Sequence, residues 1–78
     1  MNRKDRAVST ALRRTQSRVA ELIEEQDTTL HALAHDAGVG PDTIYRWLGP
    51  SAVSDDIKLS TLARVACALG VPLSELVR

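Results

Sequence analysis

Apolar residues return along this chain at intervals of three and four, the spacing that lines one side of an α-helix. Val8, Leu12, Val19, Leu22 and Ile23 keep that register, with Ala11 and Thr15 filling the gap, so a first helix is predicted from about residue 8 to Gln26. Residues 1–7 precede the pattern and are expected to form a flexible basic N-terminal arm, leaving 8–78 as the folded domain. Asp27-Thr28-Thr29 interrupts the register and offers side-chain oxygens to free backbone N–H groups, which starts a second helix burying Leu30, Leu33, Ala34 and Ala37. Gly38 suits the left-handed residue just past a helix end, and Val39 can then fold back onto the helix it follows. Pro41 is tolerated in a first helical turn, where its missing N–H costs nothing, and Asp42 suits the positive end of the helix dipole. A third, short helix therefore spans Pro41 to Leu48, with Ile44, Trp47 and Leu48 as its apolar stripe. Gly49-Pro50-Ser51 stops it, and the stretch through Asp56 has loop chemistry. Leu59, Leu62, Val65, Ala66 and Leu69 mark a fourth helix, with Ser60 or Asp56 as its cap and Gly70 closing it. After Val71-Pro72, the apolar positions Leu73, Leu76 and Val77 give a last turn or two.

Composition sharpens this to an all-α domain. Ala and Leu supply 20 of the apolar residues against ten Val plus Ile, and there is no Phe, a balance that suits packed helices better than a β-sandwich. At 78 residues the chain forms one core rather than two, which excludes two-domain enzyme architectures. A single cysteine, Cys67, makes no internal disulfide and no four-ligand zinc site, so stability is expected from apolar packing in a reducing compartment. No apolar run approaches the 18 residues of a membrane span and no signal-peptide core follows the N-terminus, so a soluble, cytoplasmic protein is expected.

The formal charge is zero, but its distribution is uneven. Six of the ten cations lie in residues 1–18 beside a single acid, Asp5. Residues 19–42 hold six acids and no Lys or Arg. The first helix thus starts basic, around Arg13, Arg14 and Arg18, and ends acidic, around Glu24 and Glu25, the reverse of what its dipole prefers. A basic face can still form if the fold brings the first segment beside Arg46, Lys58 or Arg64.

Two helices joined by the three-residue turn Gly38-Val39-Gly40 have the arrangement of a helix-turn-helix, whose second helix is held out toward a DNA major groove, though many αα-hairpins share that spacing. The residues add to it. Leu33-Ala34-x-x-Ala37-Gly38-Val39, then Thr43-Ile44-x-Arg46-Trp47, then Leu59-x-x-Leu62-x-x-x-Ala66-x-x-Leu69-Gly70-Val71 and Leu73-x-x-Leu76 form an ordered set. Over residues 18 to 77 this set closely resembles the Cro and phage-repressor (XRE) type helix-turn-helix family. The resemblance implies a compact five-helix, lambda-repressor-like domain in which helices 2 and 3 form the helix-turn-helix. It also implies a sequence-specific transcriptional regulator that binds double-stranded operator DNA, usually as a two-fold homodimer. The length corresponds to a Cro-like regulator more than to a full repressor, unless the chain is an excised fragment, and dimerisation would use the C-terminal helix or the first helix.

By the same resemblance Pro41, Asp42 and Arg46 fall where family members touch base edges, with Gly40, Thr43 and Tyr45 near phosphates or the groove wall. The helical phase agrees, since Pro41, Asp42, Tyr45 and Arg46 lie off the Ile44/Trp47/Leu48 stripe and face outward. Arg46 can pair with O6 and N7 of guanine, hold a phosphate, or be an ordinary solvated arginine. Asp42 can accept from cytosine N4, orient Arg46 four residues on, or simply favour the helix start. Tyr45 can reach a phosphate or a thymine methyl, whereas Trp47 shares the phase of Ile44 and Leu48 and reads as a core anchor. Phosphate contacts are further expected from the free N–H groups at Thr29 and Leu30, from Arg18 and from Lys58, while Arg14, one turn before Arg18, is either a further contact or solvated helix surface.

Four residues depart from the family pattern. Leu30 stands where many members carry a phosphate-clamping glutamine, Gly40 replaces the usual Ser or Thr cap, and Asp55 and Asp56 occupy a loop that is often basic. Leu30, the acidic loop and the zero net charge motivate an alternative from another class, a protein-interaction module of the same fold, such as an antitoxin or regulatory subunit. Enzyme chemistry finds no support. His31-Ala32-Leu33-Ala34-His35 has the histidine spacing of a helical zinc protease but Ala32 in place of the glutamate base, and no third ligand follows. There is no Gly-x-Ser-x-Gly turn and no Gly-rich phosphate loop, and Cys67 reads as a small packing residue beside Ala66. No cofactor, metal or small-molecule substrate is expected.

Overall fold

Among the residues described, helices occupy Arg3–Glu25 (α1), Leu30–Ala37 (α2), Pro41–Leu48 (α3), Leu59–Leu69 (α4) and Leu73–Val77 (α5), and no strand is present. This computed structural model describes residues 3–49, 52 and 56–77, with side chains from Arg6 onward. The Pro50-Ser51 stop, the Asp55 carboxylate and residues 1–2 of the expected arm lie outside the described residues.

Three of the four inter-helix breaks begin with the same closure. Past α1, α2 and α4 one residue turns left-handed and the next N–H reaches back five residues. Thr28 donates to Ile23 O, Val39 to Ala34 O and Val71 to Ala66 O, at 3.1, 3.0 and 3.1 Å. Glycine fills the left-handed position at Gly38 (φ 71°) and Gly70 (φ 73°), but after α1 it is Asp27, at φ 52°. The Thr29 side chain then caps α2, accepting from Ala32 N–H at 3.1 Å, as its hydroxyl chemistry anticipates. Pro41 opens α3 behind Gly40, whose lack of a side chain leaves that helix without a side-chain cap.

Val19, Leu22, Leu33, Ala34, Ile44, Trp47, Leu62, Val65, Ala66, Leu69 and Leu76 form one buried cluster to which every helix contributes. Each of the larger side chains stabilises the fold by roughly 1.5–3 kcal/mol through leaving water. α2 packs on both α3 and α4, and α5 closes against α1 and α4. Thr15 is buried within the α1 stripe because its hydroxyl donates back to Ala11 O at 3.1 Å.

The structure departs from the sequence expectations at several points, among them Leu59 and Val77, expected on apolar faces but 68% and 53% exposed. α1 begins at Arg3, so residues 3–7 continue the helix instead of forming an arm. Nothing between Arg3 and Val8 breaks a helix, and a turn already nucleated by packing propagates through residues of good propensity. Val8, expected on the core, is 60% exposed. The first buried side chain of α1 among the described residues is Thr15, so its first turns overrun the core. α4 starts at Leu59 with Lys58, not Ser60 or Asp56, in the capping position and no side-chain cap. Cys67 is exposed: with Leu62, Val65, Ala66 and Leu69 inward, one further residue past Ala66 turns the thiol to solvent.

Candidate functional site

The outward side of α3 is exposed and carries the expected chemistry. Ile44 and Trp47 are buried at 0% and 3% exposure and Leu48 packs partly against the core, which turns Pro41, Asp42, Thr43, Tyr45 and Arg46 to solvent. Tyr45 is 41% exposed, its ring lying on the opposite side of the helix from Trp47 as two residues of helical rotation require. Arg46 makes no ion pair with Asp42; the pairs found among the described residues are Arg18–Glu21, Arg18–Glu75 and His35–Asp36. Of the uses open to Asp42, orientation of Arg46 is therefore not the one seen.

Thr29 and Leu30 begin α2. The Thr29 hydroxyl is engaged by Ala32 N–H and its carbonyl by Leu33 N–H at 2.9 Å, while the backbone N–H groups of Leu30 and His31 have no intrahelical acceptor. The Leu30 side chain packs partly against the core and carries no polar atom, so its backbone N–H is the donor it offers. Gly40 and Lys58 are exposed at the starts of α3 and α4. Arg64 on α4 reaches the α2–α3 turn: a Cβ at Gly38 would lie 3.6 Å from its Nη1. That places a cation at the C-terminal end of α2, where the dipole favours one.

Arg18 does not join this surface. Its Nη1 donates to Glu21 and its Nη2 to Glu75 of α5, each at 3.3 Å, and these bonds, Glu21 first, hold the guanidinium pKa above its ordinary value. The direction is set by helical rotation. Gln16, two residues earlier, reaches α3, donating from Nε2 to Trp47 O at 2.9 Å. Two residues further on is about 200° around the helix, so Arg18 projects from the opposite flank toward α5. There Thr10, Arg13, Arg14, Ser17, Arg18, Glu21, Glu75 and Leu76 line an open groove. Arg14, one turn earlier, faces this groove as well.

His31 and His35 are exposed one turn apart on α2, and no cluster of three or more metal-ligating side chains occurs among the described residues. None of the described helices is long and apolar enough to cross a membrane.

Sequence reasoning missed two residues, Gln16 and Gln26. Gln26, just past α1, donates to Leu69 O of α4 at 2.7 Å, as Gln16 does to α3. A glutamine with polar neighbours has no local pattern that distinguishes a solvated amide from one bonded 31 or 43 residues away. No family model, no curated protein and no solved structure matches this chain.

Proposed function

We propose that the chain is a sequence-specific DNA-binding transcriptional regulator, Cro-like or repressor-like, whose α3 enters the major groove of operator DNA. The observation that supports the reading is the division of α3 between an anchored side, Ile44 and Trp47, and a fully outward polar side carrying Asp42, Tyr45 and Arg46. In this reading α2 and α3 form the helix-turn-helix. Arg46 and Asp42 read base edges with Pro41 beside them, and Gly40, Thr43, Tyr45 and Lys58 lie near the backbone. The free N–H groups at Leu30 and His31 suit a phosphate. Two copies associate through α5, where Val77 is exposed, or through α1, where Val8 is. Selection of bound duplexes from a random pool tests it: enrichment of a defined, two-fold symmetric sequence is expected, and recovery of no preferred sequence would refute it.

A protein-interaction module of the same architecture is the second reading, favoured by zero net charge and by the two carboxylates held on Arg18. Salt dependence separates the two. Phosphate neutralisation makes log affinity fall linearly with log salt, by close to one unit of slope per phosphate contacted. A regulator using α3 is retained on immobilised duplex DNA at low ionic strength and released as salt rises; passage through the column at low salt would favour the protein partner.

A further inference from the structure

A helix of two turns is mostly ends. The carbonyls in the last turn of α3 have no i+4 donors within the helix, and Gly49 N–H accounts for that of Tyr45 at 2.8 Å. The carbonyl of Trp47 is met from another part of the chain, by the Gln16 amide of α1. Two further restraints on α3 are of a different kind. Its N-terminal end is joined to α2 through the glycine-flanked turn at residues 38–40, and Ile44 and Trp47 sit in the core.

Apolar packing fixes how deeply α3 sits but is weakly directional. A hydrogen bond is not: at 2.9 Å it tolerates only a few tenths of an ångström and a limited range of angle. The leverage matters. A roll of α3 by about 20° displaces its Cα atoms by roughly 0.8 Å, yet sweeps side-chain ends at the helix perimeter through about 2 Å. That is enough to lose a bidentate contact, which must be held to within about 0.5 Å. A restraint on the backbone at the C-terminal end of α3 therefore governs where Arg46, one residue before Trp47, projects.

We infer that Gln16 is a positioning residue for the α3 face: by holding the Trp47 carbonyl it fixes the roll and axial placement of α3, and through them the direction of Arg46 and Tyr45. The consequence for DNA rests on the function proposed above; the restraint itself is measurable without DNA. Gln26 supplies the control. It makes the same kind of bond, slightly shorter, to the last turn of α4, which carries none of the outward residues of α3.

The test compares Gln16→Met and Gln26→Met, which keep side-chain length and remove the donor, at a temperature well below either melting transition. Two readouts are taken: affinity for the duplex selected from a random pool against a scrambled duplex, and amide exchange at Leu48 and Gly49. Gln16→Met is expected to lower affinity for the selected duplex up to about tenfold, the upper range for one lost hydrogen bond. Affinity for the scrambled duplex stays within about twofold, since phosphate contacts are less sensitive to roll. Gln26→Met leaves the ratio between duplexes unchanged even if it costs as much stability. Equal effects of the two variants on that ratio would overturn the positioning role. Wild-type protein that fails to distinguish the duplexes would instead refute the DNA-binding function. The restraint is then judged on exchange alone, expected to quicken at Leu48 and Gly49 in Gln16→Met and not in Gln26→Met; identical exchange in both variants overturns it.

Discussion

Asp27 and Gly70 occupy the same left-handed position after α1 and α4, with φ of 52° and 73°, but only one of them is a glycine. A Cβ at Gly70 would meet nothing within 4 Å, so the cost of Gly70→Ala is the backbone conformation alone. We expect a loss of about 1–2 kcal/mol on chemical denaturation, with no change in the helical spectrum. Asp27→Gly, in the converse direction, should stabilise by about 0.5–1 kcal/mol, because glycine adopts that region without the Cβ clash. An unchanged midpoint for Gly70→Ala would mean that its φ is not a constraint. Arg18 shows the other side of residue-scale reasoning. Its place on a basic stretch suggested phosphate, but what it does is set by Glu21 and Glu75, and Glu75 is 57 residues away.

At the scale of elements, α2, α3, α4 and α5 were legible because their boundaries carry chemistry: Thr29 as cap, Gly38 and Gly70 as stops, Pro41 at a first turn. The start of α1 was not, since Arg3 to Ala7 contains neither cap nor breaker and the apolar register begins only at Val8. The Lys58 capping position of α4 was missed for a related reason: a lysine has no acceptor to advertise a helix start. The outward side of α3 was legible from phase alone, whereas the ties from Gln16 and Gln26 depend on distant partners and have no local signature. Packing energetics follow the same division. Ile44→Ala, at a fully buried site shared by α3 and the core, should cost about 2–5 kcal/mol in urea unfolding. Val8→Ala, on the overrunning turns of α1, should stay within about 0.5 kcal/mol. A large loss at Val8 would show that α1 is covered along its whole length.

For the molecule as a whole, charge placement decides more than charge total. The chain is neutral, and several of its arginines are turned away from α3: Arg13, Arg14 and Arg18 face the α5 groove with Glu21 and Glu75, while Arg46 projects from α3 and Arg64 reaches the α2–α3 turn. Nonspecific attraction to a polyanion should accordingly be weak. Retention on heparin at low ionic strength with release at modest salt, combined with tight binding to a selected duplex, is the expected behaviour of a regulator that relies on base contacts more than on phosphate neutralisation.

The most direct measurement is a fluorescence titration of the labelled, selected duplex with wild-type protein and Arg46→Ala at one fixed salt concentration. Arg46 is exposed and free of ion pairs with Asp42, so its removal should leave the fold intact. Affinity is expected to fall by roughly 1–3 kcal/mol, with discrimination relaxed at a single base-pair position. Undiminished affinity and unchanged discrimination would contradict the assignment of the α3 face as the DNA-reading surface.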